Sequence, residues 1–256
     1  MRCLFQSVDG RLSFSSVLIG LLVPVVLLMG IGLAADALKS NYGTGKGGVE
    51  LMAAGLVLVW VAIGGLVMFL LRDRTRALVQ SLPWGWRMKF VLLATFFALV
   101  EEAITTTLTN LAPLFGTRIV EAFITASTNY LEVVLYNSVI VIVPMFVVWA
   151  WLLSRCRFST GQVILLFGLN GTIAEVLYGG PGAFAAAPFW ILVYGLMIYL
   201  PAYALPEDRG ETKPRWYHYP LALGLPILAA AGIAIIVLTL SPHLPHFGPR
   251  LSPPRP

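Results

Sequence analysis

Glu101 and Glu102 stand side by side in an apolar stretch running approximately from Phe90 to Leu111, and Glu132 and Glu175 lie in or at the ends of two later ones. A charged side chain in hydrocarbon costs about 2.5–3.5 kcal/mol on insertion scales, so four ionised acids facing lipid would cost about 10 kcal/mol. These side chains are therefore expected inside a helix bundle, paired, protonated or liganded. No Lys, Arg or His lies at comparable depth to neutralise them. A wall of oxygen donors suits protons or hard cations rather than zinc or copper.

Helical spacing gathers polar neighbours around each acid. Glu102, Thr105, Thr106 and Thr109 share one face, as do Asn129, Glu132 and Tyr136 on a second helix and Gly168, Thr172 and Glu175 on a third. At about 1.5 Å per residue, Glu101 and Glu102 lie roughly 17–18 Å from the inner end of their helix, Glu175 about 20 Å from its own, and Asn137 about 9 Å below the outer face. These four fall in one layer in the outer half of the membrane. The expectation is a shared polar cavity opening outward. Its candidate ion- or substrate-binding residues are Glu101, Glu102, Thr105, Thr106, Glu132, Asn137, Asn170 and Glu175.

Competing roles exist for each of these. Threonines and asparagines also serve as hydrogen bonds between helices or back to their own backbone. Adjacent acids point about 100° apart, so one of Glu101 and Glu102 is expected to face the cavity. Glu132 is near enough to the boundary to reach water. After Glu175, Gly179-Gly180-Pro181-Gly182 breaks the helix and frees carbonyls that could line a site.

The elements that carry these residues follow from composition. Of the 256 residues, 58% are hydrophobic and only 11% charged, whereas a soluble domain carries about 25% charge. That excludes a soluble fold and indicates an integral membrane protein. Seven runs approach the about 20 residues needed to cross hydrocarbon as helix: Phe14–Ala35, Leu51–Leu71, Phe90–Leu111, Leu131–Leu153, Gln162–Tyr178, Phe184–Leu205 and Pro220–Leu240. Their lack of alternation points to an all-α bundle and not a barrel. The first run is longer than the apolar core of a signal peptide, about 7–15 residues, so it is read as a retained span. Residues 1–240 are expected to form one transmembrane domain, followed by a Pro-rich, disordered tail, 241–256.

Alternating the loops with the N-terminus inside divides the 17 basic residues 12 to 5 in favour of the inner side. The positive-inside rule then places the N-terminus in the cytoplasm and the C-terminus outside, in a bacterial or archaeal cell membrane. The net charge of +5 is thus read as orientation and not as affinity for nucleic acid. Trp84, Trp86, Trp149, Trp151 and Trp216 are expected at the inner interface. Cys3 and Cys156 give neither a disulfide framework nor a metal motif, and His243 and His246 belong to the tail. The run Gly43-Thr44-Gly45-Lys46-Gly47-Gly48 lacks the Lys-Ser/Thr step of a phosphate loop and is read as a flexible loop.

Glu101-Glu102 partly resembles the first motif of the CPBP intramembrane proteases, the family of the CaaX prenyl-processing endopeptidases. In that motif a Glu pair is followed, after three residues, by Arg; here Thr106 holds that place, and Asn137 and Asn170 stand nearest to the family's later histidines. The resemblance implies that Glu101 or Glu102 activates water for peptide hydrolysis. No Gly-x-Ser-x-Gly, His-Glu-x-x-His or Asp-rich diphosphate motif occurs. Proton- or cation-coupled transport, or ion binding, accounts for the carboxylate layer with fewer missing parts. In it Glu102 and Glu175 carry the ion, and Asn137, Asn170, Thr105 and Thr106 add neutral oxygens. The third reading is a membrane scaffold or assembly subunit whose acids only set helix register. No cofactor beyond a proton or hard cation is expected; the partners expected are lipid, a small solute or ion, and a membrane protein or second copy.

Overall fold

The long unalternating apolar runs fold as helices, and no strand occurs among the described residues. The computed structural model describes residues 14–38, 45–119, 121, 124–206 and 212–240. In chain order the main helices are α1 (Phe14–Leu38), α2 (Gly45–Ser81), α3 (Trp86–Asn110), α4 (Tyr130–Tyr136), α5 (Ser138–Leu153), α6 (Thr160–Gly179), α7 (Ala187–Tyr203) and α8 (His218–Leu240). Six helical segments are long and apolar enough to cross a membrane, and α4 with α5 makes a seventh if taken as one span bent by 42°. The tail 241–256 with its histidines, Cys3, and Gly43-Thr44 lie outside the described residues.

Two boundaries differ from the sequence reading. Helix α2 continues ten residues beyond Leu71 and carries Arg72, Arg74 and Arg76 on helix, not in a loop. Arg, Ala, Leu and Gln all favour helix, and the chain turns only at Leu82-Pro83. At its other end α2 starts at Gly45, so part of the expected glycine loop is helical. Gly48 is buried there against Thr117, whose Cβ and Cγ2 a side chain at 48 would overlap. Midway, Val57–Gly64 widens into a π-helix, and the buried Trp60 donates its Nε1–H to the Val193 carbonyl of α7 at 3.0 Å.

Helices α6 and α7 form the closest pair. A Cβ on Gly168 would come within 2.6 Å of the Ile191 carbonyl, and one on Gly195 within 2.7 Å of Ile164. Small residues facing each other allow this approach, which membrane helices use where water supplies no hydrophobic drive. Around this pair, α7 buries Leu192, Leu196, Met197, Ile198, Tyr199 and Leu200. Helix α1 instead leaves Leu27 and Ile31 exposed, as a lipid-facing helix would.

Basic residues gather at one end of the bundle: Arg72, Arg74 and Arg76 near the end of α2, Arg87 and Lys89 at the start of α3, Arg155 and Arg157 between α5 and α6, and Lys213 and Arg215 before α8. The opposite end has Lys46 and Arg118 among the described residues. Aromatics at the basic end divide. Trp151 is 47% exposed and Trp216 81%, but Trp149 is fully buried, contrary to its expected interfacial place. Two positions apart on a helix means about 200° of rotation, so Trp149 and Trp151 face opposite ways.

Candidate functional site

The Glu-Glu step of α3 is buried at both residues, and α5 and α7 both pack against that helix. Glu101 is 5% exposed and Glu102 6%, so both acids point into protein, as acids inside a bundle should. Glu102 is held by hydroxyls. Its Oε2 accepts from Thr105 Oγ1 at 3.2 Å and from Thr125 Oγ1 at 3.3 Å, and the Ser138 side chain lies close by. The Thr105 hydroxyl is shared with the carbonyls of Glu101 and Glu102, the backbone bonding typical of threonine in a helix.

Glu175, near the end of α6, enters the same neighbourhood. Its Oε1 accepts from the Tyr194 hydroxyl of α7 at 2.5 Å. Glu101 has both Glu102 and Glu175 as charged neighbours, and Tyr194 lies within electrostatic reach of all three. Two helices thus supply three carboxyl groups within electrostatic reach of one phenol, and one of them, Glu175, is bonded to it. None of the ion pairs among the described residues includes them. Nor does any group of three or more His, Cys, Asp or Glu among the described residues meet the geometry of a metal site.

The expected continuous fourth helix is broken beside this cluster. Asn137 leaves helical geometry (φ −131°, ψ −89°), ending α4 and starting α5. Its Oδ1 accepts from Ser138 Oγ at 3.0 Å, a local side-chain bond of the kind that competes with the helix ladder. Its Nδ2 is buried with no hydrogen-bond partner. The same is true of Thr106 Oγ1 on α3 and of Trp190 Nε1 on α7, whose ring is 6.2 Å from that of Tyr194. Orphaned buried polar atoms are rare and mark places where water or a ligand completes the bonding.

Glu101 and Glu102 are packed within protein, and Glu175 is partly exposed. A pocket of about 340 Å³ lies at the end of α3 away from the basic residues, lined by Thr106, Thr107, Asn110, Thr128 and Tyr130 but by no glutamate. Asn110 Nδ2 clips that rim together, donating to the carbonyls of Thr106 at 3.0 Å and Thr128 at 2.9 Å. Thr106 is one helical turn from Glu102, so this pocket opens near the acids.

Two candidates stand apart from the cluster. Asn170 is fully buried; its Oδ1 accepts from Trp149 Nε1 at 3.0 Å, and its Nδ2 donates to the Leu223 carbonyl at 2.9 Å. It therefore ties α5, α6 and α8 together, away from the acids. Glu132 lies in the first turn of α4 and accepts from Ser127 Oγ at 2.7 Å, while Asn129 caps that helix through Leu131 N. Of the positions the CPBP resemblance would employ, Asn137 adjoins Glu102 through Ser138, whereas Asn170 does not join them.

Tyr194, Thr125, Ser138 and Trp190 were not among the sequence candidates. A tyrosine in the middle of Phe184–Leu205 was the available signal for the first; nothing in spacing marks the others. Comparison with protein-family models, with curated proteins and with solved structures finds no match to this chain.

Proposed function

We propose that this multi-pass helical protein is a proton-coupled membrane transporter, with Glu101, Glu102 and Glu175 as its proton-carrying group. One observation carries the reading: Glu175 is bonded to Tyr194, Glu101 and Glu102 lie within electrostatic reach of both, and no ion pair among the described residues includes any of the three acids. Three such groups out of water cannot all be ionised together, so the cluster is balanced only by bound protons or a bound cation. Tyr194 gives Glu175 a donor that can also accept, the requirement for handing a proton on. The break at Asn137 and the unpartnered atoms of Thr106, Asn137 and Trp190 supply polar contacts for water or a small solute beside it.

The basic end supports a cytoplasmic placement of the α2–α3, α5–α6 and α7–α8 connections in a bacterial or archaeal cell membrane. A thiol at Trp84→Cys, with Cys3 and Cys156 replaced, would then be labelled by a membrane-impermeant maleimide only after cells are opened.

The test of function is thermal stability of the detergent-purified protein across pH and a panel of cations, beside Glu101→Gln, Glu102→Gln and Glu175→Gln. A proton site gives a melting temperature that is highest where the cluster holds its protons, and a response that each variant flattens. A cation site instead stabilises by about 2.7 kcal/mol at a hundredfold excess over Kd. Variants as stable as the parent, with an unchanged response to pH and ions, would overturn both and leave the scaffold reading.

A further inference from the structure

The pocket at the end of α3 is bounded by Ala103, Thr106, Thr107 and Asn110, which recur at helical spacing on one face, and by Thr128 and Tyr130 at the entrance to α4. No charged residue lines it among those described. Its hydrogen-bond inventory is one-sided. Asn110 Nδ2 spends its two protons on the carbonyls of Thr106 and Thr128. The Thr107 hydroxyl donates to the Ala103 carbonyl at 2.7 Å, and the Tyr130 hydroxyl to the Leu99 carbonyl at 3.1 Å. Asn110 Oδ1, the Thr107 and Tyr130 oxygens and the second lone pair of the Thr128 carbonyl are left as acceptors. Only the hydroxyls of Thr106 and Thr128 keep a proton to give, and each can turn to accept as well. Thr106 is 5% exposed, and its Oγ1 has no partner among the described residues.

A ligand complementary to such a wall brings donors of its own. Tyr130 lies within electrostatic reach of Glu102, and Thr106 stands one turn beyond that acid, so negative charge held by the cluster favours a cation here. A neutral polyol would use the acceptors and gain nothing from the acids. The cavity of about 340 Å³ is also about ten times the roughly 30 Å³ share of one water, so a bare metal ion would leave most of it unfilled. We propose that this pocket binds a small primary ammonium compound, its N–H donors on Asn110 Oδ1 and the Thr107 oxygen, as the solute exchanged for the protons of the cluster. The exchange rests on the transporter reading; the binding stands on the pocket alone.

The experiment is titration calorimetry of the full chain in detergent at pH 7 with three probes. Ethanolammonium carries charge and N–H donors, tetramethylammonium charge alone, and ethylene glycol a hydroxyl in place of the ammonium. Ethanolammonium is expected to bind at least about 10-fold tighter than either of the others, and Asn110→Leu and Thr107→Val should each weaken it about 10-fold. Thr95→Val removes a hydroxyl that bonds the Val91 carbonyl of the same helix outside the pocket, and should change nothing. Ala103→Trp fills the cavity and keeps every polar atom; it should abolish binding, and it preserves the test if Asn110→Leu does not fold. Equal affinity for ethylene glycol or tetramethylammonium, an equal loss in Thr95→Val, or full affinity in Ala103→Trp would overturn the proposal. Ethanolammonium binding beside a pH response unchanged in the glutamate variants would support the pocket and overturn proton coupling. No ethanolammonium binding, beside a pH response that those variants flatten, would overturn the pocket and leave proton coupling standing.

Discussion

Gly171→Ala tests whether the cluster depends on helix packing, because it adds one methyl and touches no polar atom. Gly171 lies one turn before Glu175 on α6, and a Cβ there would overlap Tyr194 at its Cγ and Cδ2. Ordinary contact begins near 3.4 Å, so the ring must retreat by about 1 Å or more. The Tyr194 hydroxyl now sits 2.5 Å from Glu175 Oε1, and a shift of that size takes it toward the limit of a hydrogen bond. Overpacking costs about 1–3 kcal/mol. An interhelical hydrogen bond in a membrane protein contributes about 0.6–1.7 kcal/mol, and Ala returns about 1 kcal/mol of helix propensity. The net expectation is a loss of about 1–4 kcal/mol, larger than for Tyr194→Phe alone, with a flattened response to pH although all three carboxyls remain.

Denaturant unfolding in detergent of Gly171→Ala, Tyr194→Phe and the double variant reads these terms. Once the ring is displaced its hydroxyl has little left to lose, so the double variant should be close to Gly171→Ala and the two effects should not add. Gly224→Ala, where a Cβ meets nothing within 4 Å, is the control and should be neutral or slightly stabilising. Additive losses, or a Gly171→Ala protein with parental stability and pH response, would refute the link between the α6–α7 contact and the acids.

Other consequences separate fold from function. Asn170→Leu should cost about 1–3 kcal/mol by orphaning Trp149 Nε1 and removing a bond to the Leu223 carbonyl, yet leave the pH response intact; a lost response would return Asn170 to the site. Thr106→Val removes a buried hydroxyl that has no partner and should leave the protein equally or more stable while lowering solute uptake in proteoliposomes; unchanged uptake would exclude the Thr106 pocket as the route in. Burial pushes the Cys156 thiol above its ordinary value of 9.0. The folded protein therefore keeps that proton to higher pH than the unfolded chain, and the resulting stability is full below about pH 9 and lost as pH climbs through the folded value. Maleimide should accordingly label Cys156 only after unfolding, and rapid labelling of the native protein would show that the thiol is accessible.

Height along a helix was readable here and rotation about it was not. The rise per residue put Glu101, Glu102, Asn137 and Glu175 in one layer; Glu175 bonds to Tyr194, Glu101 and Glu102 lie within electrostatic reach of it, and Asn137 adjoins Glu102 through Ser138. Run length likewise located the spans, but hydropathy stops at Arg72 while helix propensity carries α2 on to Ser81. Phase is another matter. That both acids of α3 are buried depends on how α5 and α7 pack against it, and that Asn170 binds Trp149 and not the cluster depends on which way α5 is turned. An amide that crosslinks helices and one that binds a solute present the same atoms, so no local pattern distinguishes them. The partial exception is the α6–α7 pair. Gly168 and Gly171 mark the face of α6 that another helix can approach closely, and Glu175 shares that face one turn beyond Gly171. A small-residue stripe followed by an acid therefore implied a close partner for the carboxylate. Only the register of α7, set by Gly195 against Ile164, makes that partner Tyr194.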